Sequence, residues 1–272
     1  MQLIGSAVLD LILYLLASLG LLLRLLRTGP GLLRENRGFT ASSALAAVFI
    51  HSVLLYGLVA TPHGLDLGYF NALALAGWLM ALIGLAVFLK PAFENLGLVL
   101  FPLAGISMLL AELFPRDVLL MSDRSWPLDL HIVTSMLAYS LLGVAALQAG
   151  VLYLQERRLR QGSAGGILSA LPPMQAMERF LFQLIAAGFV LLTLSLLTGL
   201  IFVQSFRDQH LAHKAILSVL AWVVFGVLLW GRWKFGWRGR LAVRWTLIGF
   251  AALLLAYFGS KLVLELILGR HW

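Results

Sequence analysis

The sequence predicts an all-α polytopic membrane protein with eight transmembrane helices and both termini outside. Three observations carry that reading. Of 272 residues, 61% are hydrophobic and only 12% charged, with a mean hydropathy of +0.95, which is far too apolar for a water-soluble fold. Apolar runs of about 20 residues, the length that crosses roughly 30 Å of hydrocarbon, recur between charged or Gly/Pro-marked breaks. These runs are Leu/Ala-rich and continuous, unlike the alternating strands of an outer-membrane barrel, and a helix satisfies all its backbone groups within the segment.

The spans read Gln2–Leu23, Thr40–Ala60, Leu67–Leu89, Gly97–Phe114, Asp129–Leu154, Met177–Phe202, His213–Trp230 and Leu241–Leu264. The first has no Arg-rich segment before it and no small-residue cleavage site after it, so it reads as a retained helix rather than a signal peptide. After the fifth span comes a Gly/Ser/Pro-marked stretch, Gln161-Gly162-Ser163-Ala164-Gly165-Gly166 and then Pro172-Pro173. Residues 155–173 therefore form a flexible linker, and the chain divides into a four-helix half over 1–128 and another over 129–272.

Basic residues set the orientation, because Lys and Arg beside span ends favour the cytoplasm. Of the 20 Lys and Arg residues, 14 flank the loops after spans one, three, five and seven. The other six are Arg116, Arg124, Arg207, Lys214, Lys261 and Arg270, which puts both termini on the non-cytoplasmic, periplasmic side of an inner membrane. The net charge of +8 and pI near 10.3 are thus topological, suited to anionic lipid headgroups and not to nucleic acid. With no cysteine, thiolate metal binding and thiol redox chemistry are excluded. No nucleophile elbow, phosphate loop or metalloprotease motif is present, which argues against an enzyme.

The histidines are the remaining candidate ligands. Under this topology His63, His131, His210, His213 and His271 lie at the outer side, and His51 alone falls near mid-bilayer. Spans five and seven run in the same direction and begin at His131 and His213, so each offers an imidazole near the outer interface and the two can clamp one metal ion. A helix-anchoring role is the plainer alternative for both, and His63 and His210 read as loop residues. Mid-bilayer polar groups are costly, so His51 is a functional candidate by default, with a hydrogen bond to a neighbouring helix as the alternative. Asp10 in the first span reads as hydrogen-bonded to Ser or Tyr of another helix, and with His51 it also permits a proton-coupled transporter. Lys261 and Glu265, four apart, read as a helical pair. Trp230, Trp233, Trp237 and Trp245 suit an interfacial belt, whereas aromatic residues near His213, Trp222 among them, can stack on a planar macrocycle.

The back half resembles a known family. His131-Ile132-Val133-Thr134-Ser135-Met136-Leu137-Ala138-Tyr139-Ser140 is similar to the external-histidine helix of the cytochrome c assembly proteins of the CcsA, CcmC and HemX-like group. Lys214-Ala215-Ile216-Leu217-Ser218-Val219-Leu220-Ala221-Trp222 resembles the segment after that family's tryptophan-rich loop, and Gly236-Trp237-Arg238-Gly239-Arg240 its cytoplasmic turn. Together with Leu171-Pro172-Pro173-Met174 and Tyr257-Phe258-Gly259-Ser260, the pattern looks most like the YpjD subgroup of bacterial inner-membrane proteins. The loop itself departs: Phe202 to His213 has none of the family's tryptophans, and Ala212 and Ala215 replace its acids.

The resemblance implies haem handling. Haem b would be held between His131 and His213, with His51 in the role of the family's intramembrane histidine and Trp222 against the macrocycle. Arg207, Lys214 or Arg124 would meet the propionates. The implied partners are haem, membrane lipids and other cytochrome c assembly or membrane proteins. The implied function is assistance to, or regulation of, cytochrome c assembly or haem handling. The alternative is a non-catalytic regulatory subunit of another membrane protein, for example a transporter, that retains the family fold without haem.

Overall fold

The computed structural model describes residues 2–26, 37–61, 64–88, 91–115, 126–162, 171–202, 209–259 and 262. Eight long apolar helices account for nearly all of them, each long and apolar enough to cross a membrane. They are α1 (Gln2–Leu26), α2 (Arg37–Val59), α3 (Tyr69–Phe88), α4 (Gly97–Leu113), α5 (Trp126–Arg160), α6 (Met174–Phe202), α7 (Gln209–Phe235) and α8 (Arg240–Leu254). A two-residue strand pair, β1 (Ala60–Thr61) against β2 (Gly64–Leu65), closes the turn between α2 and α3, and a 3₁₀ segment Pro91–Leu96 leads into α4. The chain packs as two compact units: residues 1–122 with 164–172, and residues 123–163 with 173–272.

In the first unit α1 packs on α2 and α4, and α3 closes the ring against the same two helices. Small residues bring the backbones together, the usual device where lipid supplies no hydrophobic drive between helices. A Cβ on Gly105 would stand 2.9 Å from the Leu11 Cα, and one on Gly77 would stand 3.2 Å from the Ala104 Cα. Tyr14, Leu21, Leu100 and Phe101 fill the space between, all fully buried. At one end Arg37 donates to the Phe88 carbonyl at the close of α3 and covers the Phe88 ring. It thereby satisfies one of the carbonyls that a helix leaves unpaired at its C-terminus. Arg24 pairs with Glu94 at 3.2 Å nearby.

The second unit is a ring of α5, α6, α7 and α8. Gly188 receives Leu142, and Gly249 receives Phe225. Two helices run furthest past the ends of their predicted spans: α5 continues from Leu154 to Arg160 and α7 from Trp230 to Phe235. Charge explains the first extension, because Glu156 pairs with Arg160 one turn on at 2.8 Å and with Arg240 of α8 at 3.0 Å. Gly236 and Gly239, with φ of 68° and 60°, make the turn between α7 and α8, which no residue with a Cβ takes easily. The Gly239 N–H donates to Glu178 Oε1 at 2.8 Å, which sets a carboxylate at the start of α8. The last span differs from expectation: α8 ends at Leu254 and passes into a π-helical turn, Leu255–Gly259. The buried Tyr139 hydroxyl donates to the Leu253 carbonyl at 2.7 Å, just where the ladder changes pitch.

Candidate functional site

Two polar clusters interrupt this apolar interior, one in each unit, and each is built round a histidine singled out by the sequence. In the second unit, His131 lies on the second turn of α5, half-buried against the last turns of α6. Its Nδ1 is 2.8 Å from the Ser195 carbonyl oxygen. A carbonyl can only accept, so Nδ1 carries the hydrogen and the lone pair of the neutral ring sits on Nε2. The Ser135 hydroxyl, 3.5 Å from Nε2, gives its hydrogen to the His131 carbonyl at 2.6 Å and pairs with the Ser195 hydroxyl at 2.7 Å. Thr198 stands 3.4 Å from Nδ1. Gly199 lets the ring approach α6 closely, since a Cβ there would be 3.1 Å from the imidazole Cε1. The result is a ring of fixed orientation and tautomer whose free lone pair is Nε2. Metal-binding histidines are prepared in the same way by a partner on the other nitrogen.

The other residues proposed beside it are placed as follows. His213 is the fifth residue of α7 and Lys214 the sixth; their side chains lie outside the described residues, as do those of His210 and the whole of Arg207. The backbone nevertheless fixes the end of the bundle to which residue 213 belongs. Trp222 of α7 donates to Thr193 of α6 at 2.8 Å and stacks on Phe189 with ring centroids 5.5 Å apart. From Trp222 to residue 213 is nine residues, roughly 13 Å along α7 toward the end at which α6 closes. His131 touches α6 two to six residues beyond Thr193, at the same end. The two histidines are therefore offset by roughly 5–10 Å along the bundle axis. Trp222 lies deeper, and one face of its ring is already taken by Phe189. His63, Lys261, Glu265 and His271 fall outside the described residues.

In the first unit His51 is fully buried with Asp10 and Tyr14. Its Nδ1 lies 3.5 Å from Asp10 Oδ2 and 3.4 Å from the Tyr14 hydroxyl. The partner of Asp10 is thus the imidazole of α2, rather than a Ser or Tyr of another helix. Tyr14 is on α1 itself, one turn from Asp10, and sequence reasoning passed it over; the i,i+4 spacing of Asp10 and Tyr14 was the available signal. His51 reaches neither solvent nor lipid, so its ring offers no open face to a macrocycle. Also unforeseen were Ser135, one turn on from His131, and Ser195 and Thr198, which lie more than 60 residues away and carry no distinctive spacing. Among the described residues no group of three or more His, Cys, Asp or Glu side chains is arranged to hold a metal ion.

The family model described as cytochrome C assembly protein matches residues 11–268. The chain is 35% identical over 245 residues to the inner membrane protein YpjD of Escherichia coli strain K12, covering 88% of this chain and 92% of that one. It is 22% identical over 223 residues to protein HemX of Brevibacillus brevis, covering 81% and 74%. It is 28% identical over 171 residues to the cytochrome c biogenesis protein CcsA of Prochlorococcus marinus strain MIT 9515, covering 53% and 55%. No solved structure matches. With its eight membrane-crossing helices and a likeness that spans nearly the whole chain, this multi-pass inner-membrane protein belongs to the cytochrome c assembly protein family.

Proposed function

We propose that the protein is a haem-binding inner-membrane protein that assists or regulates cytochrome c assembly or haem handling, and that it is not an enzyme. The observation that carries this reading is the Nδ1–H of His131 donating to the Ser195 carbonyl, which leaves Nε2 as an oriented lone pair on a half-buried ring. The donor chemistry fits haem iron, which takes neutral imidazole. His131 and His213 would be the axial ligands, with Lys214 and Arg207 available to the propionates and the exposed apolar residues Leu130, Val133, Leu197 and Leu200 flanking the site. With His131 and His213 both holding the iron, haem b would suit carriage, sensing or electron transfer better than oxygen chemistry, which needs an open ligand position. Both termini and both histidines belong, in this reading, to the periplasmic side.

The test is a reduced-minus-oxidised absorption spectrum of full-length protein purified in detergent from haem-replete cells. A Soret band that weakens in His131→Ala and in His213→Ala is the expected result, and a colourless, folded preparation refutes the reading. The missing tryptophans between Phe202 and His213 favour one other reading, a regulatory subunit that keeps the fold without haem. Colourless protein co-purifying with one stoichiometric membrane partner is its signature.

A further inference from the structure

The buried cluster of the first unit has no part in that reading. Asp10 and His51 are both 0% exposed, and Tyr14 beside them is also 0% exposed. Both Asp10 oxygens and His51 Nε2 are without a hydrogen-bond partner. From α3 the backbone of Ala74 meets the imidazole, and from α4 the Phe101 ring stacks on Tyr14 at 6.0 Å. Among the described residues no lysine, arginine or second acid is ion-paired with Asp10 or His51. Two ionisable groups of opposite type thus face each other in an apolar core, each with unused hydrogen-bonding capacity.

Removing two charges from water is costly, and leaving either group alone and charged in the core costs more. The pair avoids this by sharing one proton. If the proton sits on the imidazole the two charges cancel; if it sits on the carboxyl both groups are neutral. The separation of 3.5 Å is longer than a tight hydrogen bond, and Nδ1 faces the Tyr14 hydroxyl slightly more closely, at 3.4 Å. One nitrogen therefore has two polar groups to address, and both, unlike a carbonyl, can either give or take a hydrogen.

We propose that Asp10 and His51 form an intramembrane proton-binding site, with Tyr14 as the residue that positions the imidazole. In the transfer step the His51 Nδ1–H bond breaks and an Asp10 Oδ2–H bond forms, cancelling the positive and negative charge, with no other reactant. The neutral pair then takes up a second proton at the imidazole, or releases its one proton, as pH changes. The proposal is independent of haem: the cluster lies wholly within α1 and α2, and protein with or without a Soret band gives the same answer.

The experiment is infrared difference spectroscopy of the full-length protein in phosphatidylcholine vesicles, recorded between acid and alkaline pH, following the C=O stretch of protonated carboxyl groups. The expected result is a pH-dependent band that disappears in Asp10→Asn and shifts in both His51→Gln and Tyr14→Phe. Asp10→Glu restores a band at a shifted midpoint, which covers the case in which Asp10→Asn fails to fold. A carboxyl spectrum that Asp10→Asn leaves unchanged overturns the proposal. So does an Asp10 band that does not vary with pH, since a fixed structural hydrogen bond gives that result.

Discussion

If the orientation of His131 is what prepares it as a ligand, a methyl group at position 199 disturbs haem binding without touching either axial histidine. A Cβ there would stand 3.1 Å from the imidazole Cε1 and 3.3 Å from Nδ1. Ordinary contact between carbon atoms begins near ~3.5 Å, so in Gly199→Ala the ring must give way by about 0.4 Å. Displacement away from α6 stretches the 2.8 Å bond to the Ser195 carbonyl toward the limit of a useful hydrogen bond. Losing a bond of this kind costs about 1 kcal/mol, and losing the outer partner of a metal-ligating histidine costs about 10- to 100-fold in affinity. The expected outcome is haem affinity lower by about tenfold in Gly199→Ala, at the weak end of that range because the contact strains the bond without removing it. The assay is a haem titration of detergent-purified, haem-depleted protein followed at the Soret maximum, with His131→Ala as the floor. Folding is separable from binding: Gly188→Ala, whose Cβ would meet Leu142 at 2.7 Å, lowers stability while leaving the imidazole alone. Affinity for Gly199→Ala within about twofold of the parent refutes the argument, because the predicted tenfold loss corresponds to about 1.4 kcal/mol.

Three further outcomes concern stability. Tyr139→Phe leaves the buried Leu253 carbonyl without its donor and costs about 1–2 kcal/mol, read as a drop of several degrees in Tm by differential scanning fluorimetry in detergent. Gly105→Ala places a methyl group 2.9 Å from the Leu11 backbone and destabilises by about 1–3 kcal/mol, whereas Gly150→Ala, with nothing within 4 Å, stabilises α5 by about 0.5–1 kcal/mol; the opposite signs are checked in the same thermal assay. Glu156→Gln removes the partner of Arg160 and Arg240, but these are 64% and 50% exposed, so the loss stays below about 1 kcal/mol and shrinks further in high salt.

The eight helices were legible because membrane crossing imposes one pattern, a long apolar run, that composition alone reveals. Ends were harder to read where interactions remote in sequence decide them. Arg240 helps to hold α5 beyond Leu154, and Tyr139 meets the place where α8 gives way to a π turn, although apolar residues continue to Leu264. The candidate site was legible only in its histidines. His131 stood out as an imidazole at a helix start, but Ser195 and Thr198 are common in membrane helices and lie more than 60 residues away. What makes Ser195 matter is its backbone carbonyl, which any residue at that position would supply and which no residue pattern advertises. His51 and Asp10 were each conspicuous as mid-membrane polar groups. Their pairing required knowing that α1 and α2 turn the same faces inward.

The two histidines differ in the chemistry of what faces Nδ1, and that difference decides what each can do. Opposite His131 stands a carbonyl, which cannot donate; the hydrogen is held on Nδ1, and the lone pair of the neutral ring is left on Nε2. Opposite Nδ1 of His51 stand a carboxyl and a phenol, both able to donate and to accept, so neither of them fixes a hydrogen on that nitrogen. Burial reinforces the division. A half-buried ring with a fixed tautomer can receive a ligand from outside, whereas a ring at 0% exposure can exchange only something as small as a proton. Asp10→Asn therefore does more than remove a charge: an amide keeps both a donor and an acceptor but cannot give up its hydrogen, so His51 would keep a polar neighbour and lose the group with which it trades a proton.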